Sequence, residues 1–156
     1  MSIDIFLRPM TREDLPSVNL IRNHETTRSF LRNTNTISLD ETYAWFDNTH
    51  PNWWMIINNQ EIVGYVRSSL DTKETICIGC DIHPDMRKRG FAKSAYKNII
   101  SKLYKEGYLV IWLEVFTNNI AALELYQKLN FQVINTRKVG NREAAVMVHI
   151  RQDDQC

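Results

Sequence analysis

The segment from Thr75 to Tyr104 constrains the fold most, because an apolar run leads through a basic turn directly into a periodic helix. Thr75 to Ile82 reads as a strand, Phe91 to Tyr104 repeats apolar residues at helical spacing, and Arg87-Lys88-Arg89-Gly90-Phe91-Ala92 joins the two. A helix that begins after such a turn leaves backbone N–H groups without partners, and its dipole adds positive potential. The turn is therefore predicted to bind an anion.

The composition of this turn suits a diphosphate. Gly90 permits a positive φ or a close approach, and Ala92 keeps the first helical turn small. Arg87, Lys88 and Arg89 are expected to add mobile cations. Neither the P-loop pattern G-x-x-x-x-G-K-[ST] nor the dinucleotide pattern G-x-G-x-x-G is present. A plain basic turn is the alternative interpretation.

A second segment, Leu109 to Phe116, carries a candidate catalytic carboxylate. Period-two alternation places Trp112, Glu114 and Phe116 on one face of the predicted strand. Desolvation beside two aromatic rings is expected to raise the pKa of Glu114 toward the range of a general base. A solvated carboxylate at the strand end is the alternative.

The helix that follows this strand presents Asn119, Ala122 and Tyr126 on one stripe. The adjoining apolar stripe is expected to pack on the sheet and to hold the Tyr126 phenol at the strand–helix junction. An ordinary core tyrosine is the alternative.

The remaining patterns predict one α/β domain over residues 1–156. A strand at residues 3–8 is followed by two helices capped at Thr11 and Ser38, and a hairpin turns at residues 58–61. A second hairpin turns at residues 139–142. The expected order is β-α-α-β-β-β-α-β-α-β-β, in one mixed sheet.

Composition excludes several classes of function. The chain has 156 residues, of which 44% are hydrophobic and 24% charged, and a net charge of +1. This near-neutral balance argues against general nucleic-acid binding, and no apolar run approaches the ~20 residues that span a bilayer. The start of the chain lacks a signal-peptide core, so we expect a cytoplasmic protein.

Three cysteines indicate free thiols. Cys77-x-x-Cys80 followed by His83 superficially resembles half of a metal site. In a strand, however, residues three apart point to opposite faces, and no second pair follows. We therefore expect no metal.

The two segments together resemble the GNAT superfamily of acetyl-CoA-dependent N-acetyltransferases. Arg87 to Ala92 match its pyrophosphate loop [QR]-x-x-G-x-[GA]. Asn119, Ala122 and Tyr126 match its N-x-x-A-x-x-x-Y helix, and Lys128-Leu129-Asn130-Phe131 match the corner after it, with asparagine where glycine is usual. The stretch from Trp112 to Tyr126 is similar to the ribosomal-protein alanine N-acetyltransferases.

The resemblance implies a mixed, mostly antiparallel sheet of six or seven strands, flanked by about four helices. Two central strands of this sheet, ending at Ile82 and Phe116, are expected to splay apart, with the pantetheine arm of acetyl-CoA between them. It also implies roles for particular residues. Glu114 is expected to act as the base and Tyr126 as the acid that protonates the leaving thiolate, while a backbone N–H near Ile82 stabilises the oxyanion. The acetyl-CoA-binding residues are expected to be Ile82, His83, Arg87, Lys88, Arg89, Gly90, Phe91, Ala92, Asn119 and Tyr126.

The amino-terminal third is similar to GNAT enzymes that acetylate amino-sugar nucleotides. On this resemblance the acceptor is an amino-sugar nucleotide, met by Arg22, Asn23, Arg28, Asn35 and a tryptophan, Trp54. The alternative for Trp54 is a core position.

Two other functions compete with this prediction. A protein N-terminal acetyltransferase would use the same Glu114 and Tyr126 on a peptide, and a CoA-binding regulatory module would bind without turnover. The expected partners are thus acetyl-CoA and a small amine, without nucleic acid or membrane, in a monomer or homodimer.

Overall fold

A computed structural model describes residues 3–151. Within that range no helix is both long enough and apolar enough to cross a bilayer. The helices are α1 (Leu15–Asn23), α2 (Glu25–Arg28), α3 (Leu39–Thr49), α4 (Phe91–Lys105) and α5 (Ile120–Lys128). The strands are β1 (Phe6–Pro9), β2 (Trp54–Asn58), β3 (Glu61–Leu70), β4 (Thr75–Ile82), β5 (Val110–Phe116), β6 (Phe131–Val139) and β7 (Arg142–His149).

The strands form one seven-stranded sheet in the order β1-β2-β3-β4-β5-β7-β6. All neighbours are antiparallel except β4 and β5, which are parallel. The prediction of a mixed, mostly antiparallel sheet is confirmed. Residues 3–151 form five helices rather than about four. The additional one is the one-turn α2, which is too short to show a periodicity in the sequence.

The two central strands separate, as expected. β4 and β5 pair only from Thr75 opposite Val110 to Cys77 opposite Trp112. Beyond this point β4 continues to Ile82 on β3, and β5 continues to Phe116 on β7. A gap therefore opens between the carboxyl ends of two parallel strands, and open α/β sheets bind ligands at such places.

Separate apolar clusters cover the two faces of the sheet. The larger cluster joins α4 and α5 to the sheet, and the smaller joins α1 and α3 to β2 and β3. Helix α4 buries Phe91, Ala95, Tyr96, Ile99, Ile100 and Leu103. The observed stripe starts at Phe91, whereas Ala92 is only half-buried, and each large side chain contributes roughly 1.5–3 kcal/mol of burial.

Local signals explain where several elements begin and turn. The predicted first strand is shifted, to Phe6–Pro9, and the chain after Thr11 makes a 3-10 turn before α1. The β2–β3 hairpin turns at Asn59 and Gln60, both with positive φ. Asn130, at the corner where the family usually has glycine, has φ 70°. Asparagine tolerates this left-handed conformation better than most residues do.

Candidate functional site

The turn before α4 has the geometry of an anion site. Lys88 and Gly90 have φ values of 62° and 85°, and a Cβ on Gly90 would lie 2.8 Å from Ile3 Cδ1. Among residues 3–151, no atom accepts a hydrogen bond from the backbone N–H groups of residues 88–93. Consecutive free N–H groups at the start of a 15-residue helix form an anion-binding concavity.

Arg87 fixes this turn to the rest of the protein. Its Nε donates to the Ile82 carbonyl oxygen at 3.2 Å, and its Nη2 donates to Thr27 Oγ1 at 2.7 Å. Its Nη1 donates to Thr26 Oγ1. The prediction that Arg87 is a mobile cation is therefore wrong, because the guanidinium fork is used to join the turn to α2.

The other basic residues of the turn are less constrained. Arg89 Nη1 contacts the Met86 sulfur, and its guanidinium lies 5.2 Å from the centre of the Phe91 ring. Lys88 is exposed. Lys88 and Arg89 therefore remain available to a bound anion.

Ile82 and His83 are used locally. The Ile82 side chain is buried, and its carbonyl accepts from Arg87. His83 Nδ1 accepts from the Asp85 N–H at 3.1 Å, and the His83 N–H donates to the Val63 carbonyl. His83 therefore caps the short 3-10 turn at Pro84–Met86, and its predicted contact with acetyl-CoA stays a prediction.

Beyond the separation of β4 and β5, a cavity of about 250 Å³ opens on the α1 side of the sheet. We call it the splay cavity. Its walls come from the loop after α2, from β3, β4, β5 and β6, and from Tyr126 on α5. The polar and charged lining residues include Arg32, Arg67, Cys77, Glu114, Tyr126 and Arg137.

Tyr126 reaches the splay cavity as part of a hydrogen-bonded chain. Its hydroxyl lies 3.0 Å from the Tyr96 hydroxyl, which accepts from the Cys80 N–H at 3.0 Å. Burial raises the pKa of Tyr126 to about 12, so its phenol is protonated at neutral pH. A protonated phenol at the gap can donate to a leaving group, and the role of Tyr126 as the acid stays a prediction.

Glu114 also faces the splay cavity, between the aromatic rings of Trp112 and Phe116. Its carboxylate accepts from Arg32 Nε and Nη2 at 2.8 Å each and from Arg137 Nε at 2.6 Å. Desolvation acts to raise its pKa, but the hydrogen bonds and charges of the two arginines outweigh this. The pKa of Glu114 is therefore lowered, and the prediction of a raised pKa is wrong.

Asn119 is the N-cap residue of α5. Its side-chain oxygen accepts from the Ala122 N–H at 3.3 Å. The two matching positions of the family motif are thus linked by a capping bond. The Asn119 side-chain NH₂ group stays available to a ligand.

The residues predicted for the acceptor hold a loop instead. Arg22 donates to the carbonyl oxygens of Asn33 and Asn35 at 2.9 and 2.8 Å, and Arg28 Nη1 donates to the Thr34 carbonyl at 2.9 Å. These bonds shape residues 33–37, a segment without regular structure. The guanidinium groups of Arg22 and Arg28 are therefore engaged with backbone, contrary to the prediction.

Asn23 acts on the same loop. It donates to the Ile37 carbonyl and accepts from the Ile37 N–H, at 2.7 and 2.9 Å. Asn35 is exposed, and its N–H donates to Asn33 Oδ1. Trp54 is buried, 4% exposed, in the cluster beneath α4, so the core alternative is confirmed and its predicted substrate contact is wrong.

Cys77 and Cys80 lie on opposite faces of β4, as strand alternation predicted. Cys77 lines the splay cavity and Cys80 packs against the α4 side. Burial raises the pKa of the Cys77 thiol to about 11, which leaves little thiolate at neutral pH.

Four functional candidates were missed by sequence reasoning: Tyr96, Arg32, Arg67 and Arg137. Tyr96 read as one more apolar residue of the α4 stripe. The three arginines come from separate segments, and only the folded sheet brings them to one cavity. For Arg67, alternation along β3 with Tyr65 was the available signal of a shared face.

Known proteins are similar to this chain in sequence. The model of the acetyltransferase (GNAT) family matches residues 19–131. The ribosomal protein bS18-alanine N-acetyltransferase of Escherichia coli K12 is 24% identical over 100 residues, which are 61% of this chain and 68% of that protein.

Solved structures share the fold over nearly the whole chain. A GNAT-family acetyltransferase from Bacillus anthracis superposes with a TM-score of 0.83 at 14% identity, covering 95% of this chain and 96% of that one. The protein yncA from Salmonella typhimurium, solved with its cofactor acetyl-CoA, superposes with a TM-score of 0.76 at 18% identity, covering 98% of this chain and 99% of that one. With the family match over most of its length, this chain belongs to the acetyltransferase (GNAT) family and is an acetyl-CoA-dependent N-acetyltransferase.

Proposed function

We propose that the protein transfers the acetyl group of acetyl-CoA directly to a primary amine bound in the splay cavity. One observation carries the proposal: β4 and β5 separate beyond Cys77, the splay cavity opens there, and the turn after β4 has backbone N–H groups at residues 88–93 that lack partners among residues 3–151. A thioester carrier held by its diphosphate at the turn can place its reactive end in the gap. The acceptor amine then meets it there, which makes the reaction effectively unimolecular.

The chain's own residues supply binding and proton transfer. Residues 88–93 would hold the diphosphate of acetyl-CoA through main-chain N–H groups, and the Asn119 side chain would donate to its pantetheine arm. The Cys80 N–H, now bonded to Tyr96, is the candidate donor to the developing oxyanion. Tyr126 would protonate the leaving thiolate, whose free pKa is near the cysteine value of about 8.5.

Glu114 is proposed to orient Arg32 and Arg137 rather than to take the amine proton. A carboxylate with a lowered pKa that is held by two guanidinium groups is a weak base. The amine proton is then released to water in the splay cavity. Cys77, whose raised pKa keeps it a thiol, is not proposed as an acetylated intermediate.

The test is an acetyl-transfer assay in which acetyl-CoA and amines are varied together. Direct transfer predicts CoA release, an acetylated amine, intersecting initial-velocity lines and no acetylated protein by intact-mass spectrometry. Parallel lines with an acetylated Cys77 would contradict the direct route. Tight CoA binding without release across all amines would favour the regulatory module.

A protein N-terminus is the second candidate acceptor. It rests on the similarity to the Escherichia coli ribosomal protein bS18-alanine N-acetyltransferase, which matches 61% of this chain. The amino-sugar nucleotide predicted from sequence has lost its residue basis, because Arg22 and Arg28 bind loop carbonyls. Peptides with an N-terminal alanine, compared with free amino sugars and their nucleotides, separate these acceptors.

A further inference from the structure

The splay cavity carries an excess of positive charge. Three arginines, Arg32, Arg67 and Arg137, line it together with one glutamate, Glu114. Arg32 and Arg137 share the carboxylate of Glu114, so their charges are partly compensated. Even when Asp81 beside Arg67 is counted, one positive charge is left over.

Arg67 lines this cavity with the Nη1 and Nη2 end of its guanidinium, which we call its fork. Its Nε lies 3.0 Å from Asp81 Oδ2, in a contact not aligned as a hydrogen bond. Among residues 3–151, no acceptor takes a hydrogen bond from its Nη1 or Nη2. Asp81 therefore lies beside the Nε of Arg67, whereas Nη1 and Nη2 are open to the cavity.

Gly79 makes room for this fork. Arg67 lies directly opposite Gly79 across β3 and β4. A Cβ on residue 79 would lie 2.5 Å from Arg67 Nη2 and 2.7 Å from its Cζ. The guanidinium thus crosses β4 over the glycine, at the position from which it faces the gap.

Tyr126 lines the same small cavity. Burial raises the pKa of its phenol, and the positive charge of Arg67 acts in the opposite direction and lowers it. An acceptor that places an anionic group on the Arg67 fork therefore keeps its amine near the phenol. The volume of about 250 Å³ is below the range of roughly 300–1,000 Å³ typical of pockets for drug-sized ligands. The cavity suits a small acceptor or the end of a larger one.

We propose that the acceptor is an amine that also carries a carboxylate or a phosphate, and that the free fork of Arg67 binds this anionic group. This inference rests on the proposed function. A planar fork with two parallel N–H donors suits both oxyanions. The same charge disfavours amines whose remaining part is cationic.

The experiment uses acceptor pairs that differ in one group. Alanine is compared with alaninamide, which resembles a peptide N-terminus, and phosphoethanolamine is compared with ethanolamine. Butane-1,4-diamine is included as an acceptor whose remaining part is cationic. The wild-type protein is expected to prefer the anionic member of at least one pair by about tenfold or more in kcat/KM. Whichever pair shows the preference distinguishes carboxylate from phosphate.

Two variants test the fork itself. In Arg67→Gln the ratio between anionic and uncharged acceptors is expected to fall toward one. In Gly79→Ala the charge stays but the fork is displaced, so the ratio is expected to fall as well. Arg12→Gln, which removes an exposed arginine paired with Asp47, is the matched control and is expected to keep the wild-type ratio.

Several outcomes would overturn the inference while leaving the acetyltransfer proposal intact. These are equal or better use of the uncharged or cationic acceptor, or a wild-type ratio in both Arg67→Gln and Gly79→Ala. If no amine at all is acetylated, the proposed function fails instead. Binding of N-acetylalanine and of inorganic phosphate, measured by calorimetry, then decides the inference: binding that is lost in Arg67→Gln supports it, and its absence in wild type contradicts it.

Discussion

The hydroxyl oxygens of Tyr96 and Tyr126 lie 3.0 Å apart, and they join helix α4 to helix α5 at the gap in the sheet. The Tyr96 oxygen also accepts from the Cys80 N–H. When Tyr96 donates its proton to Tyr126, the Tyr126 proton is directed away from Tyr96, toward the gap. The pair thus connects the backbone of β4 with the proposed proton donor.

Tyr126→Phe is expected to lower kcat by about 10²-fold, because it removes the proton donor for the leaving thiolate. The dissociation constant of CoA is expected to change little. Because the pKa of Tyr126 is about 12, wild-type activity is expected to lose this donor only as the pH approaches that value. Steady-state kinetics and CoA calorimetry check this, and unchanged kcat in the variant would remove Tyr126 from the mechanism.

Tyr96→Phe provides the companion test of orientation. The ring stays in its buried place, but the hydroxyl that orients the Tyr126 phenol is lost. We expect a smaller decrease in kcat than for Tyr126→Phe, together with a lower Tm. A variant with the kinetics of the wild type would show that the link between the hydroxyls is only structural.

Glu114→Gln is expected to destabilise the protein in a pH-dependent way. The folded-state pKa of Glu114 lies below its ordinary value of 4.5, so its stabilising contribution is present above that value and is lost as the pH falls through the folded pKa. Because Arg32 and Arg137 are about half exposed, the expected loss at neutral pH is only ~1 kcal/mol.

Urea unfolding of wild type and Glu114→Gln at several pH values measures this difference. The difference in unfolding free energy between the two proteins is expected to shrink as the pH falls below 4.5. Glu106→Gln, which breaks an exposed pair with Lys102, is the control with the smaller effect. A free-energy difference that stays constant into the acid range would contradict the pairing of Glu114 with Arg32 and Arg137.

Gly90→Ala is expected to raise the KM for acetyl-CoA. The φ of 85° is unfavourable for alanine, by ~1 kcal/mol, and the new Cβ would clash with Ile3 Cδ1. Gly107→Ala, at the other end of α4, is the matched control, because Gly107 also has a positive φ but a Cβ added there would meet no atom within 4 Å among residues 3–151. Equal KM values in the two variants would disconnect the turn from acetyl-CoA.

Arg87→Lys is expected to raise the KM for acetyl-CoA about as much as Arg87→Gln does. Lysine keeps the charge, but it cannot reproduce the fork that binds Ile82, Thr26 and Thr27. Lys88→Gln is expected to have a smaller effect that disappears at high salt, since an exposed charge is screened. Kinetics at two ionic strengths test both expectations. A wild-type KM for acetyl-CoA in Arg87→Lys would show that Arg87 acts only through its charge, as a mobile cation would.

Much of the fold could be predicted because its signals are local. The strand–turn–helix from Thr75 to Tyr104, the two hairpins and the cap at Ser38 follow from periodicity and turn chemistry. The one-turn α2 and the shifted start of β1 could not, because segments this short depend on their neighbours. Tertiary hydrogen bonds from Arg22, Asn23 and Arg28 decided the course of the loop at residues 33–37.

The sequence by itself determined that this chain has a basic turn with Gly90 before a long helix and a tyrosine on a capped helix, since both depend on residues close together in the chain. Only the tertiary structure decided the electrostatics of the site. Glu114 looked desolvated from its own strand, but Arg32 and Arg137 arrive from distant segments and lower its pKa. Arg87 likewise bonds to α2, and the fork of Arg67 faces the cavity. Neither could be predicted, because a charged side chain interacts with the groups that the fold places beside it, and these are far away in the sequence.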